Sequence, residues 1–262
     1  MNVPLPRLTA IGSGKGGTGK TLISLALAQA LAKQGERVLL CDADLGLSNT
    51  PVHLGLAEGG DLAGVLAGRR AIGDAVVRVN GGAIARGFDL LAAPAGSGAL
   101  ANAGADAAIR LIALLRAAHA YDRAVLDLGA GVDVVPMSMA AAADETIAIL
   151  TPDPAALTDA YAFTKLLVRA TRSRQPEFIV NLATNDAEAR RTAEAFTGTC
   201  RAFLKFEPHL LGIVPRDAAA ADAVRRQQAL GPASAAMRAV TDLAISLHVR
   251  ITPRKFAAND VR

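Results

Sequence analysis

The run Gly14-Lys15-Gly16-Gly17-Thr18-Gly19-Lys20-Thr21 has the residue types and spacing of a phosphate-binding loop. Glycines allow left-handed backbone angles, so consecutive N–H groups can turn inward, and the positive end of a following helix adds to their attraction for β- and γ-phosphates. Lys20 is then placed to bridge those phosphates, and the Thr21 hydroxyl to ligate Mg²⁺. The pattern carries weight only between a strand and a helix. Both are predicted here, from the apolar stretch Leu8 to Gly12 and the helical run Leu22 to Ala32. A bare glycine-rich surface turn is the bland alternative, and this context disfavours it. Lys15 is an extra cation that such a loop does not need, early enough in it to point away from a nucleotide held by its own chain.

Two acidic segments accompany the loop. In Cys41-Asp42-Ala43-Asp44-Leu45-Gly46-Leu47-Ser48-Asn49, the carboxylates Asp42 and Asp44 stand two apart at the end of a predicted strand. Alternation in an extended chain would project them to the same side, where one metal and one attacking water could be served. Asp-x-Asp-x-Gly also makes ordinary turns and calcium loops, but a calcium loop needs a Glu at its twelfth position and no carboxylate follows until Glu58. The second segment is Val125-Leu126-Asp127-Leu128-Gly129-Ala130-Gly131. Asp127 ends an apolar strand as a metal-binding Walker B carboxylate does, and Gly129 to Gly131 suit a flexible γ-phosphate sensor of the switch II type.

These groups need strands that end together and helices that begin beside them. Short apolar runs, at Leu8 to Gly12, Arg37 to Cys41, Phe88 to Ala92, Arg123 to Leu126, Glu145 to Leu150, Phe178 to Leu182 and Leu210 to Val214, alternate with longer runs of helical period. The helical runs are Lys20 to Gln34, Ala105 to His119, Ala155 to Ala170, Ala187 to Leu204, Ala218 to Ala229 and Ala233 to His248. This βαβα rhythm predicts an α/β fold, a three-layer, doubly wound, mostly parallel sheet with helices on both faces. With 262 residues, 52% of them hydrophobic, the chain suits one large domain over 1–249, followed by a short basic tail, 250–262.

Composition narrows the function further. The longest uncharged stretch, Leu90 to Ala105, is short and broken by Pro94 and glycines, so no membrane span is predicted. Met1 to Ala10 lacks a signal-peptide pattern, and Cys41 and Cys200 fit a reducing compartment, so the expected location is the cytoplasm. The net charge is +4, and the excess arginine lies beyond residue 160, on what is read as solvated helix surface rather than a site for nucleic acid or anionic lipid. The four histidines have no metal-ligand spacing and read as surface or strand-end residues.

The loop with its second lysine resembles the MinD/ParA family of ATPases, whose deviant Walker A motif carries such a "signature" lysine. The resemblance implies ATP/ADP and Mg²⁺ as ligands and an ATP-dependent homodimer, in which Lys15 reaches across to the opposite subunit's nucleotide. It further implies that Asp42 holds Mg²⁺ through water and that Asp44 orients the hydrolytic water in switch I. A closer resemblance is to the FlhG/FleN branch, regulators of flagellar number and placement. It is carried by Asp42 to Asn49, His53-Leu54-Gly55-Leu56, Pro94 to Gly98, Thr158 to Ala162 with Lys165-Leu166-Leu167, Leu211 to Asp217, and Ala223 to Gln227. By the same analogy adenine sits between Asn181 and the backbone around Pro215, although a strand-end cap is an equal reading of Asn181.

Leu128 departs from the family's usual hydroxyl residue, which bears on how switch II senses the γ-phosphate. Only seven residues precede the first predicted strand, which leaves no room for the N-terminal activating helix by which some relatives stimulate the GTPase FlhF. The implied partners are a flagellar transcription activator, an FlhF-type GTPase or a switch-ring protein. DNA is not expected as a partner. Pro253 and the scarcity of large apolar residues make the tail a poor membrane helix, so membrane contact is expected to be weak at most, with transient visits to the membrane or cell pole. Three other readings remain: a nucleotide-gated binding module with little turnover, a ParA-type partition or positioning ATPase, and an iron-sulfur reductase. The last is disfavoured because Cys41 lies within an apolar strand.

Overall fold

The computed structural model describes residues 5–45, 48–93, 104–171 and 175–250. The elements run β1 (Arg7–Gly12), α1 (Lys20–Lys33), β2 (Val38–Ala43), α2 (Thr50–His53), α3 (Leu62–Leu66), α4 (Ile72–Ala75), β3 (Val77–Gly81), β4 (Ile84–Leu91), α5 (Ala105–Arg116), β5 (Arg123–Leu128), α6 (Val134–Ala142), β6 (Glu145–Leu150), α7 (Pro154–Thr171), β7 (Glu177–Ala183), α8 (Asp186–Leu204), β8 (Leu210–Pro215), α9 (Ala218–Arg225) and α10 (Ala235–Val249). Eight strands form one sheet in the order β3-β4-β2-β5-β1-β6-β7-β8, parallel except for β3 against β4. The doubly wound arrangement is therefore the observed one. Chain direction across the sheet reverses at β1, so the crevice beyond the carboxyl ends of β1, β5 and β2 is where a ligand fits such a sheet.

Alternating strand residues feed two cores. Leu39 and Cys41 of β2, with Ala124 and Leu126 of β5, pack towards α5, α6, α7 and α8, whereas Leu40 and Val125 pack towards α1 and α10. Strands buried on both faces read as unbroken apolar runs, which is why the sequence located the central ones. Helix α1 is apolar nearly all round because the sheet, β4 and α10 enclose it. Asp217 and Ser234 organise the C-terminal helices: Asp217 accepts from Ala219 N, from Ser234 Oγ and from Ala236 N, and Ser234 Oγ caps α10 at Met237 N.

Several predicted bounds change. Strand β4 starts at Ile84 rather than Phe88, and β3 is an additional edge strand, joined to β4 through Gly81 and Gly82 at φ 89° and 57°. Helix α9 stops at Arg225 rather than Ala229, because Gln227 is left-handed at φ 54°. Helix α6 is also additional. Its Pro136 sits in the first turn, where a missing N–H costs no internal hydrogen bond. The segment Pro94 to Gly98 and the tail beyond residue 250 lie outside the described residues.

At the amino edge of the sheet, Arg123 is fully buried, which is rare for arginine unless it is paired. Its Nε donates to Glu36 Oε2 at 2.9 Å, Nη1 to Thr9 Oγ1 and Glu145 Oε2 at 2.6 and 2.7 Å, and Nη2 to the Leu247 carbonyl at 3.1 Å. His248 meets Glu36 at 2.8 Å, and Arg7 meets Glu145 at 2.9 Å. Removing the guanidinium takes from two buried carboxylates the one cation they share, leaving Glu36 to His248 and Glu145 to Arg7. Arg123→Ala is expected to cost about 3–5 kcal/mol of unfolding free energy in urea titrations; a loss under about 1 kcal/mol would show that water fills the site without penalty.

Candidate active site

The loop between β1 and α1 is backbone pressed between neighbours. Gly17 and Gly19 hold φ 77° and 90°, values that disfavour any residue with a Cβ. A Cβ at Gly14 would overlap the Asp159 carbonyl on α7, one at Gly12 the Phe163 ring, and one at Gly19 the Asn181 amide. At Gly16 and Gly17 it would meet nothing within 4 Å. The loop is thus closed beneath and open above, and in that open concavity phosphate oxygens find room beside the start of α1. The buried Thr18 Oγ1 has no hydrogen-bond partner. An anion in the cradle is the missing acceptor that such a hydroxyl calls for.

Lys20 is 9% exposed. Burial draws its pKa below the usual lysine value, opposed by the carboxylates of Asp127 and Asp44. Asp127 lies fully buried at the end of β5, accepting from Ser24 Oγ at 3.0 Å and from the Thr21 side chain. Burial first, and the neighbouring Asp42 second, push its carboxyl up to about 7, against the opposing pull of Thr21, Ser24 and Lys20. The donor set around Thr21 is hard oxygen. Among the described residues no cluster of three or more His, Cys, Asp or Glu is arranged as a metal cage. That combination fits Mg²⁺, which keeps waters and phosphate oxygens in its shell rather than filling it with side chains.

Asp42 and Asp44 differ in burial. Strand β2 continues to Ala43, so Asp42 is an interior strand residue, 1% exposed, while Asp44 lies just beyond the strand and is half-buried. Asp42 Oδ2 accepts from Ser48 Oγ at 2.8 Å and from the N–H groups of Asn49 and Thr50, and Oδ1 accepts from Asp44 N. Asp42 therefore ties the switch I segment to the sheet. Asp44 instead faces switch II, its carboxylate 3.4 Å from where a Gly129 Cβ would stand. Switch II touches the loop directly, through Gly131 N donating to the Ser13 carbonyl at 2.9 Å. Leu128 is buried in the core and presents no side chain to the crevice.

Residues 9–230 match the model of the CobQ/CobB/MinD/ParA nucleotide-binding domain. The chain belongs to this family. It is 32% identical to the antiactivator FleN of Pseudomonas aeruginosa, over 95% of this chain and 89% of FleN. It is 30% identical to the flagellum site-determining protein YlxH of Helicobacter pylori, over 86% of this chain and 74% of YlxH. Among solved structures it resembles the septum site-determining protein MinD of Pyrococcus horikoshii, complexed with Mg-ADP, at TM-score 0.75 and 25% identity, covering 93% of this chain and 96% of that one. This MinD/ParA protein is an ATPase, with ATP as substrate and Mg²⁺ as cofactor.

In this ATPase, Lys15 lies outside the cradle. Its Nζ reaches Asp153 Oδ2 of the same chain at 2.8 Å, just ahead of α7, with both side chains substantially exposed. The hydrogen bond to Asp153 raises the lysine pKa and lowers that of the aspartate. Asn181 is buried, its Nδ2 donating to the Thr18 carbonyl at 2.7 Å, and Pro215 closes β8 opposite Ala183. Sequence reasoning missed Ser24, Asp153, Asp159 and Phe163. Ser24 alone left a local signal, a polar residue inside an otherwise apolar helix.

The Asp127 value has a definite sign. Unfolded, the carboxyl titrates near about 3.9. Folded, it holds its proton up to about 7. Stability therefore falls as pH rises between these limits, and above them the full cost of a buried charge is present. In protein free of nucleotide and Mg²⁺, Asp127→Asn should raise Tm by a few degrees at pH 8 and by roughly a third as much at pH 5, as followed by scanning fluorimetry. A Tm at or below wild type at pH 8 contradicts the shift.

Proposed function

We propose that this ATPase is a flagellar regulatory switch: ATP builds a homodimer, the dimer engages a flagellar partner, and hydrolysis undoes both. The likeness to FleN along nearly the whole chain carries the reading, and the likeness to YlxH supports it. The partner is a flagellar transcription activator, an FlhF-type GTPase or a component of the switch ring. No helix of the described residues is long and apolar enough to cross a membrane, so a stay at the membrane or pole would rest on surface contacts.

The geometry supports a division of labour. Backbone N–H groups from Gly14 to Gly19 face the phosphates, Thr18 adds its unpartnered hydroxyl, and Lys20 bridges the β- and γ-phosphoryl oxygens. Thr21 and Asp127 would hold Mg²⁺, and Asp42 would act on it through a water while fixing the switch I backbone. Bound there, the ion neutralises charge building on the phosphate oxygens. Asp44, half-buried and close to Gly129, orients the attacking water. Asn181 and the backbone at Pro215 flank the adenine. Lys15 leaves Asp153 to reach the phosphates of the second subunit.

Lys20→Ala should abolish nucleotide binding, whereas Lys15→Ala should bind ATP as a monomer yet neither dimerise nor turn over. Light scattering with ATP, together with phosphate release, separates the two. An ATP-dependent dimer of Lys15→Ala hydrolysing at the wild-type rate would remove the cross-subunit role.

Replacing Asp44 by Ala should keep ATP and Mg²⁺ bound, slow hydrolysis by roughly 100-fold or more, and so accumulate dimer. Unchanged phosphate release in that variant would transfer water positioning to switch II.

A further inference from the structure

Strand β7 does not finish regularly. Its register with β8 shifts between Asn181 and Ala183, and Leu182 takes φ 62°, in the left-handed region that a large side chain rarely enters. Such a conformation persists only where the surroundings over-determine it. Here the distortion accompanies a long-range contact: Asn181, 2% exposed, donates from Nδ2 to the Thr18 carbonyl at 2.7 Å. The glycine that follows leaves no room for anything else, since a Cβ on Gly19 would overlap the same amide nitrogen.

The bond has a directional consequence. The Thr18 carbonyl and the Gly19 N–H belong to one trans peptide plane and point in opposite directions. Holding the carbonyl against Asn181 therefore aims the Gly19 N–H away from β7. The loop offers its N–H groups to phosphate, and one of them is thereby oriented by a residue far along the chain. The second amide proton and the carbonyl oxygen of Asn181 remain for the base.

We infer that Asn181 is a positioning residue for the phosphate loop, acting on the phosphates through the Thr18–Gly19 peptide plane in addition to its place beside adenine. The inference rests on the nucleotide-binding reading and extends it: base end and phosphate end of the site share one side chain. It predicts that Asn181 matters to a ligand that has no base at all.

The test is calorimetric titration of the full chain with Mg-pyrophosphate and with Mg-ADP, for wild type and Asn181→Ala, with Tm measured on the same samples. The expected result is a loss of about tenfold in pyrophosphate affinity, the scale of one buried hydrogen bond, and at least as large a loss for ADP. Weaker ADP binding with pyrophosphate unchanged would confine Asn181 to the base and overturn the inference. A lowered Tm with both affinities intact would make it a fold-stabilising residue and overturn it equally. Should Asn181→Ala not fold, Asn181→Ser, too short to reach Thr18, carries the same comparison. A wild-type chain that binds neither ligand would overturn the nucleotide reading itself, and the inference with it.

Discussion

A phosphate loop made of glycines has no side chains of its own to hold its shape, and everything else at this site depends on how that shape is imposed. Here it is imposed from outside. Helix α7 presses on Gly12 and Gly14 through Phe163 and the Asp159 carbonyl, Asn181 holds Thr18 from below, and switch II is hung on Ser13 by Gly131. Each contact removes backbone freedom that glycine would otherwise keep, about 1–2 kcal/mol of entropy per fixed residue at room temperature. That ordering is met by packing before any ligand arrives. The loop is therefore preorganised, and its attraction for phosphate is not spent on arranging the donors.

The central strands of the sheet carry charge at both ends, arranged by opposite logic. At the amino ends, Arg7 and Arg123 meet Glu145 and Glu36 in a dry network in which every buried carboxylate has a cation, and the last turn of α10 is bound into it through the Leu247 carbonyl and His248. At the carboxyl ends, Asp127 and Asp42 lie buried side by side with only hydroxyls, N–H groups and Lys20 to balance them. The first arrangement is electrostatically complete. The second is short of positive charge, and it is the one that a divalent cation completes.

The phosphate loop and the central strands were legible because their signals are local: glycine spacing for one, uninterrupted burial for the others. Strand β3 was not, since an edge strand reading Val77-Arg78-Val79-Asn80-Gly81 is half polar and lacks a buried run. Helices α2, α3 and α4 are too short to show a period. The burial of Asp42 was hidden for a subtler reason. The predicted strand stops at Cys41, whereas β2 runs two residues further, to Ala43, which moves the Asp42 carboxylate from the rim into the sheet. Contacts such as Lys15 with Asp153, or Asn181 with Thr18, join distant stretches of chain and leave no pattern in either.

The pair of Lys15 and Asp153 is a weak tether. Side chains 38% and 50% exposed form a surface ion pair, and such pairs contribute about 0–1 kcal/mol net. The tether holds the lysine close to Asp159 as well, and on the cross-subunit role proposed for Lys15 it is weak enough to yield to the negative charges of a nucleotide on a second subunit. A buried pair in the manner of Arg123 and Glu145 would lock a lysine in place, because withdrawing it leaves a buried carboxylate unpaired. Exposure of the pair is thus what would allow the exchange that the proposed role requires. On the same proposal, loss of the γ-phosphate on hydrolysis would take negative charge away from the lysine's position in the dimer and favour its return to Asp153.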